Sequence, residues 1–263
     1  MMKFIILLIV GIIARQAYAD EPEAIMGGNN AAPGQFKYQV SIQHGSRHGE
    51  LYGQHICGGC LISEFHVVTA AHCVPEDKNT WRSMRVITGA LWSINNDGES
   101  HEIKCISTHP NYTGDINTGL KHDIALITLV TPASTNNVQA PIRLASRDYA
   151  TGQYRGIISG WGKTTMDSDM SPMLQWVQTN VLSQSECLQT YHPNTIPQQI
   201  CTLEKAGTGA CTGDSGGPLV VNGELCGVVS WTVPCAKGSP DVFTNLFYYR
   251  DFMIDSVNKC AHM

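Results

Sequence analysis

The sequence predicts an all-β protein, and three observations lead to this class. Short runs rich in Val, Ile and Thr recur along the 263 residues, separated by turns that use many of the 25 glycines and 12 prolines. Hydrophobic residues make up 43% of the chain, which is enough for a full core. The sequence contains no internal repeat and no low-complexity linker, so we expect its β units to pack directly on one another.

The elements follow in order along the chain. The predicted strands are 39–43, 59–63, 84–88, 124–130, 156–160, 219–221 and 227–231. Near the C-terminus, Phe252, Met253 and Val257 instead have helical spacing. This pattern predicts a closing helix over 247–259.

The N-terminus has the pattern of an export signal. Lys3 precedes an apolar run from Phe4 to Ile13, and Ala17-Tyr18-Ala19 is typical of a small-x-small cleavage site. The run is roughly half of the ~20 apolar residues that span a bilayer, so a membrane anchor is the weaker alternative. We expect residues 1–19 to be the signal peptide of a secreted, extracellular protein that has no membrane partner.

Charge and cysteine content narrow the function further. The formal net charge is -5 and no long basic run is present, which argues against a nucleic-acid partner. Ten cysteines, an even number, indicate disulfides in an exported chain. Cys57 and Cys60 are half of a zinc pattern, but no second pair or closely spaced histidines complete it, so we expect no metal.

The sharpest motif is Gly213-Asp214-Ser215-Gly216-Gly217. Average residue frequencies give such a pentapeptide a chance of about one in a million per starting position. Glycines let the chain turn so that backbone N–H groups converge on a developing oxyanion. Ser215 is therefore the candidate nucleophile, and the N–H groups of Gly213 and Ser215 are the candidate oxyanion hole. A glycine-rich turn with an idle serine is the alternative.

A serine nucleophile needs a base, and the base needs an acceptor. Thr69-Ala70-Ala71-His72-Cys73 supplies a histidine beside a cysteine that can hold it in place. His122-Asp123-Ile124 places a carboxylate at the start of an apolar strand, where it can fix the imidazole tautomer or merely cap the strand end. Other histidines, His55 and His101 among them, lie in polar or strand-edge settings that favour solvated or core roles.

In the order His72, Asp123, Ser215, the chain resembles the chymotrypsin-like serine endopeptidases of the trypsin family. The resemblance runs from Ile25 to the closing helix and includes Ile25-Met26-Gly27-Gly28, Cys57-Gly58-Gly59, Gly160-Trp161-Gly162, Asp214-Ser215-Gly216-Gly217-Pro218 and Ser230-Trp231. It implies a catalytic triad of these three residues that hydrolyses peptide bonds through an acyl-enzyme. It also implies two packed six-stranded antiparallel β-barrels with the site between them.

The resemblance implies activation by cleavage before Ile25. Residues 20–24 are then a propeptide and residues 25–263 the protease domain. The new ammonium of Ile25 would pair with Asp214, so activity should fall at alkaline pH as this amine, with an ordinary pKa of about 7.7 to 8.0, loses its proton. Ala24 stands where the family usually has Arg or Lys, so a trypsin should not be the activator.

The resemblance also implies three disulfides: Cys57 with Cys73, Cys187 with Cys201, and Cys211 with Cys235. Four cysteines remain and permit three connectivities. Among these we favour Cys105 with Cys260 and Cys60 with Cys226.

Substrate choice in the family depends on a pocket that we expect to involve Gly209, Ser230, Trp231, Thr232 and Asp241. Gly209 stands where trypsins carry a basal aspartate, which favours apolar or aromatic side chains before the scissile bond. Thr232 replaces a glycine and could narrow the pocket toward small residues, as in elastases. Asp241 replaces a wall glycine, as in some arthropod chymotrypsins and broad-specificity collagenolytic proteases. Its carboxylate either admits a basic side chain or turns aside into the wall.

Several expectations complete the prediction. Family members that bind calcium begin the binding loop with a glutamate, whereas this chain has Gly89-Ala90-Leu91, so we expect no calcium and no cofactor. Asn111-Tyr112-Thr113 is the only glycosylation sequon and marks a surface loop.

We expect a monomer whose partners are protein or peptide substrates and protein protease inhibitors. A non-catalytic homologue that only binds partners is the rival, although such homologues typically lack a triad member.

Overall fold

The structure is a computed structural model that describes residues 25–44, 53–94, 97–191, 193–233 and 235–261. The predicted signal peptide, 1–19, and propeptide, 20–24, lie outside these residues. Within them, no helix combines the length and apolar character that crossing a membrane requires.

The described residues form fourteen strands and three α-helices. The strands are β1 (Asn29–Asn30), β2 (Gln39–His44), β3 (Gln54–Ser63), β4 (His66–Thr69), β5 (Met84–Thr88), β6 (Glu99–His101), β7 (Ile103–Thr108), β8 (Ala125–Leu129), β9 (Arg155–Gly160), β10 (Gln175–Asn180), β11 (Gln199–Thr202), β12 (Pro218–Val221), β13 (Glu224–Trp231) and β14 (Asp241–Asn245). The helices are α1 (Lys78–Trp81), α2 (Gln184–Tyr191) and α3 (Arg250–Ala261), with 3₁₀ turns at Ala71–Cys73, Ile116–Thr118 and Leu246–Tyr249.

The strands make two antiparallel sheets. The N-terminal sheet, β2 to β8, has the order β6-β5-β2-β3-β4-β8-β7. The C-terminal sheet, β1 and β9 to β14, has the order β1-β10-β9-β12-β13-β14-β11. The edge strands β6 and β7 follow each other in the chain, separated only by Glu102, so the N-terminal sheet curls until its edges meet. The predicted all-β fold of two curled antiparallel units and a closing helix is confirmed.

Each sheet contains seven strands where six were expected. In the N-terminal sheet, Glu102 interrupts one bent segment and divides it into β6 and β7. In the C-terminal sheet, the two-residue β1 adds an edge, because Asn29 and Asn30 pair with Trp176 and Gln175 of β10. The additional strand in each sheet lies at a sheet edge, so the predicted arrangement of two packed antiparallel β units is unchanged.

Strand β8 begins two residues after the candidate acid Asp123 and is buried on both faces. Ile127 and Leu129 pack into the core enclosed by the N-terminal sheet. Leu126, on the opposite face, packs into a second core with Val228 of β13 and Met253 of α3. Because both faces are covered, β8 fixes the residues that precede it between the two sheets.

Helix α3 covers the join between the sheets. Asn245 Oδ1 accepts a hydrogen bond from Phe247 N and caps the 3₁₀ turn that leads into the helix. Met253 and Cys260 are buried, and a disulfide joins Cys260 to Cys105 in β7. The predicted closing helix is confirmed, with bounds shifted by two or three residues.

The structure contains the three disulfides that the resemblance implies, Cys57–Cys73, Cys187–Cys201 and Cys211–Cys235. The predicted Cys105–Cys260 bridge is also present, whereas the predicted Cys60–Cys226 bridge is wrong, because both cysteines are free and buried. Adjacent residues of β13 point to opposite faces. Leu225 therefore shares the inter-sheet core with Cys60, while Cys226 faces the core inside the C-terminal sheet.

The two free cysteines give the first prediction. Alkylation of the purified protein, unfolded without a reductant, should label two thiols per chain, mapped to Cys60 and Cys226. Labelling of the folded protein should be slow, because burial raises the pKa of both thiols and leaves little reactive thiolate. Absence of free thiols in the unfolded chain, with a peptide joining the two cysteines, would contradict the structure.

Candidate active site

Asp123 is a fully buried carboxylate held by hydrogen bonds from both sheets. Its Oδ2 accepts from His72 Nδ1 at 2.7 Å and from Ser230 Oγ at 2.6 Å. Its Oδ1 accepts from the backbone N–H of His72 at 3.0 Å, and Thr244 Oγ1 donates to its backbone carbonyl at 2.7 Å. Burial of a charge is costly unless its oxygens are satisfied in this way. The result is a carboxylate with one fixed orientation.

His72 lies in the 3₁₀ turn after β4, and the Cys57–Cys73 disulfide ties this turn to β3. Because Nδ1–H donates to Asp123, Nε2 is left as a hydrogen-bond acceptor. The side chain is 26% exposed, whereas that of Asp123 has no exposure. His72 is thus an oriented imidazole whose free nitrogen can take a proton.

Ser215 lies in the loop before β12 and is pressed against the N-terminal sheet. Its carbonyl accepts a hydrogen bond from Gly58 N of β3 at 2.8 Å. A Cβ on the next residue, Gly216, would lie 2.6 Å from the carbonyl oxygen of Gly58 and 3.1 Å from Ala70 N. Ala70 is two residues before His72, so the loop brings half-buried Ser215 to the part of the interface that carries His72.

Gly213 has a backbone conformation that only glycine adopts easily. Its φ is +98°, and a Cβ there would lie 2.7 Å from Met170 Sδ. Among the described residues, neither Gly213 N nor Ser215 N has a hydrogen-bond partner. Two unpaired N–H groups in one glycine-rich turn can bind a negative charge.

His55 is a buried residue whose link to this turn the sequence did not reveal. Its Nε2 donates to the Gly213 carbonyl at 2.9 Å, and Ser41 Oγ donates to its Nδ1 at 2.7 Å. Burial lowers the pKa of His55 to about 4, so the ring is neutral at pH 7. This hydrogen bond joins residues 158 positions apart in the sequence, and local sequence patterns do not predict such long-range contacts.

Asp214 is a second buried carboxylate, and it has no ion-pair partner within the described chain. Its oxygens accept hydrogen bonds from Gly162 N at 2.8 Å and Cys211 N at 2.9 Å. Burial raises its pKa to about 7 in spite of these donors. The side chain of Ile25 is fully buried in the core of the C-terminal sheet, and the carbonyl of Met26 accepts a hydrogen bond from Gly209 N at 3.1 Å.

Asp241 lies against Gly209, the candidate pocket base. Its Oδ2 accepts from Ala210 N at 2.8 Å and would lie 2.5 Å from a Cβ on Gly209, whose φ is +151°. Any side chain at Gly209 therefore collides with this carboxylate. Burial, opposed by the Ala210 hydrogen bond, raises the pKa of Asp241 to about 7.

The other pocket candidates differ in what their side chains do. Ser230 is buried, and its hydroxyl donates to Asp123. Trp231 is buried and packs edge-to-face on Tyr191 with ring centroids 4.8 Å apart. Thr232, the next residue, is half-buried.

The segment that leads to Asp123 is strained. Leu120 and His122 both have left-handed backbones, with φ of 44° and 58°, a conformation that costs roughly 1 kcal/mol or more in residues with a Cβ. Two side chains hold His122: His109 stacks on it at 4.8 Å, and Tyr249 Oη donates a hydrogen bond to its Nδ1 at 3.0 Å. Strain held by side-chain packing is typical of functional segments.

Within the described residues, the group of side chains that could bind a metal does not form a suitable site. Cys57, His72 and Cys73 lie within 4.8 Å of one another, but the two cysteines are joined as a disulfide and offer no thiolate. In the loop that starts at Gly89, Asp97 Oδ2 accepts from the N–H groups of Leu91 and Trp92 at 2.7 and 2.8 Å. This carboxylate closes the loop through hydrogen bonds to the backbone.

Comparison with known proteins identifies the family. The trypsin family model matches residues 25–253. Pig (Sus scrofa) trypsin is 36% identical over 244 residues, which are 90% of this chain and 97% of that protein. Chymotrypsin-2 of the hornet Vespa crabro is 33% identical over 87% of this chain and 98% of its own length. Trypsin-1 of the crayfish Astacus astacus is 33% identical over the same shares. The chain therefore belongs to the trypsin family of chymotrypsin-like serine endopeptidases.

Proposed function

We propose that this serine endopeptidase is secreted and cleaves peptide bonds through a triad of Ser215, His72 and Asp123. The observation that carries the proposal is the 2.7 Å hydrogen bond from His72 Nδ1 to the fully buried Asp123. It fixes the imidazole with Nε2 as the basic nitrogen, on the interface where the Ser215 loop contacts the N-terminal sheet.

Each step of the reaction has a residue suited to it. His72 Nε2 takes the proton of Ser215 Oγ while the oxygen attacks the scissile carbonyl, and the N–H groups of Gly213 and Ser215 bind the oxyanion. The imidazolium then protonates the leaving amine, and an acyl-enzyme remains on Ser215. Water, deprotonated by His72, releases the acid by the same route in reverse. The Asp123 carboxylate stabilises the imidazolium.

Activation is proposed to use the pairing of Ile25 with Asp214. The carboxylate of Asp214 is buried and has a raised pKa, so it gains from a nearby cation. The Ile25 side chain packs in a core with Ala210, and the Met26 carbonyl accepts a hydrogen bond from Gly209 N, two residues before Cys211, whose N–H donates to Asp214. Cleavage before Ile25, removing residues 20–24, would create an ammonium there. The activating protease is not a trypsin, because Ala24 precedes the bond.

We propose a preference for apolar or aromatic side chains before the scissile bond. The supporting observation is that the Asp241 carboxylate is buried and bonded to Ala210 N, so that it lies in the pocket wall. Elastase-like selection, with Thr232 narrowing the pocket, is the alternative for small side chains. The mature enzyme is expected to be a monomer that takes protein or peptide substrates and binds protein inhibitors.

A second specificity is favoured by the pKa of Asp241. A buried carboxyl with a pKa of about 7 is only partly ionised near neutrality, and a lysine or arginine side chain would stabilise its charged form. The enzyme would then have a broad preference in which basic side chains are accepted as pH rises.

One experiment tests both specificities. The form beginning at Ile25 is incubated at pH 6 and pH 8 with a peptide mixture that varies the residue before each bond, alongside the Ser215→Ala and Asp241→Asn variants. We expect cuts after Phe, Tyr, Leu and Met at both pH values and none with Ser215→Ala. If Asp241 admits basic side chains, the rate of cleavage after Lys and Arg, relative to cleavage after Leu, should rise between pH 6 and pH 8. The Asp241→Asn variant should not show this rise.

Each remaining outcome has a defined meaning. Cuts confined to Ala and Val would replace the apolar-aromatic proposal with the Thr232-narrowed pocket. Failure of folded, correctly processed enzyme to cut any peptide would reject the catalytic proposal in favour of a binding homologue.

The activation proposal predicts a pH-dependent stability difference between cut and uncut protein, both carrying Ser215→Ala. In uncut protein, the pKa of Asp214 rises from 3.8 unfolded to about 7 folded, so the folded state binds the extra proton and loses stability as pH rises between these values. In cut protein, the Ile25 ammonium removes this loss. The melting temperature advantage of cut over uncut protein should therefore widen from pH 5 to pH 8.

The control is Asp214→Asn, which should make that advantage independent of pH over the same range. An advantage that is already constant with Asp214 intact would rule out its pairing with Ile25.

A further inference from the structure

The glycosylation sequon lies in an ordered turn on the surface. Asn111 and Thr113 are exposed, whereas Tyr112 between them is half-buried. The Tyr112 N–H donates to the His109 carbonyl at 3.0 Å, and the Asn111 N–H donates to His109 Nδ1 at 3.2 Å. The side-chain amide of Asn111 has no hydrogen-bond partner in the described part of the chain. The acceptor nitrogen is therefore accessible, and the turn around it has a defined direction.

This turn is built on the segment that carries the site. Tyr112 packs against a buried cluster that includes Trp231 of the proposed pocket and Leu120. Burial, together with the nearby charge of Asp123, raises the pKa of Tyr112 to about 12. His109, at the start of the turn, stacks on His122, the residue before Asp123. Asn111 is next to Tyr112, whose side chain packs with Trp231 of the proposed pocket. We therefore place Asn111 at the rim of the proposed substrate cleft.

We propose that Asn111 carries an N-linked glycan that restricts large protein substrates at this rim while short peptides still reach the site. This inference rests on the proposed export and proteolytic function. A glycan is bulky and hydrated, and here it is attached one residue from Tyr112, which packs with Trp231 of the proposed pocket. A short peptide occupies only the cleft, so we expect the glycan to leave its binding unaffected.

The modification requires an oligosaccharide donor linked to a lipid through pyrophosphate. The Asn111 amide nitrogen forms a bond to the anomeric carbon of the sugar, and the bond from that carbon to the pyrophosphate oxygen breaks. The amide loses one proton, and the lipid pyrophosphate leaves with the bonding electrons. No electron transfer is involved, and Thr113 supplies the hydroxyl that the sequon requires.

The first measurement tests the modification. The full chain is expressed in eukaryotic secreting cells, and the mass of the protein in the medium is compared before and after peptide N-glycosidase treatment. Wild type and Thr113→Ser, which keeps the sequon, should lose the mass of one glycan. Asn111→Gln and Thr113→Ala should be secreted without it. Secreted wild type whose mass does not change on treatment would overturn the proposal.

The second measurement tests the shielding. The activated forms are assayed on a short peptide and on a folded protein containing the same cleavable sequence. Loss of the glycan, in Asn111→Gln and in Thr113→Ala, should leave kcat/KM for the peptide unchanged and raise it several-fold for the protein. Thr113→Ser should match wild type on both. Equal kcat/KM for the protein substrate with and without the glycan would overturn the shielding role.

These readouts separate the inference from the function on which it rests. Glycan mass is measured on secreted protein whether or not it is active. A glycosylated protein that cleaves no peptide rejects the proposed catalysis and the shielding role, and leaves the modification standing. A chain found only inside the cells rejects the proposed export, and its mass before and after glycosidase treatment still decides the modification.

Discussion

The site depends on the burial of one carboxylate. Asp123 has no solvent exposure, so its charge must be satisfied by protein donors. These come from His72 beside the N-terminal sheet and from Ser230 in β13 of the C-terminal sheet, while Thr244 in β14 donates to the backbone carbonyl of Asp123. One residue thereby links the two sheets and sets the tautomer of the imidazole. The strain at Leu120 and His122 lies immediately before it, where the chain enters β8.

Two other buried aspartates lack, within the described residues, side-chain donors like those that Asp123 receives from His72 and Ser230. Asp214 and Asp241 accept hydrogen bonds from backbone N–H groups, yet both have pKa values raised to about 7. A buried acid in this state gains most from a cation. For Asp214 the proposed cation is the new terminus at Ile25, and for Asp241 the second proposed specificity would supply a basic substrate side chain. Activation and specificity would then use the same physical effect at two neighbouring places.

Much of the fold was predictable because β-branched runs and buried alternation are local signals. Strand 84–88 has the predicted bounds, β8 is one residue shorter than predicted at each end, and β9 begins one residue earlier than predicted. The strand Asn29–Asn30 was missed because two polar residues carry no strand pattern and pair only through β10. Helix α2, with mostly polar residues and one buried side chain, Cys187, has too weak a periodicity to detect.

The candidate site was partly predictable for the same reason. Short motifs located His72, Asp123 and Ser215, since each lies in a distinctive local sequence. The contacts of Ser230 with Asp123 and of His55 with Gly213 join distant parts of the chain, and no local pattern encodes them. The free state of Cys60 and Cys226 depends on which face of β13 each side chain meets, which counting cysteines does not reveal.

The most direct test of the central role of Asp123 is the kcat of Asp123→Asn on a peptide substrate, measured on protein shown to be folded by its thermal transition. The amide of Asn cannot hold the same imidazole tautomer. We therefore expect kcat to fall about 10⁴-fold, as it does for the corresponding Asp→Asn change in the well-characterised triad of this family. Asp148→Asn, which alters a carboxylate bonded to Tyr248 and Asn245, should retain near wild-type activity. A folded Asp123→Asn enzyme with kcat close to wild type would contradict the account.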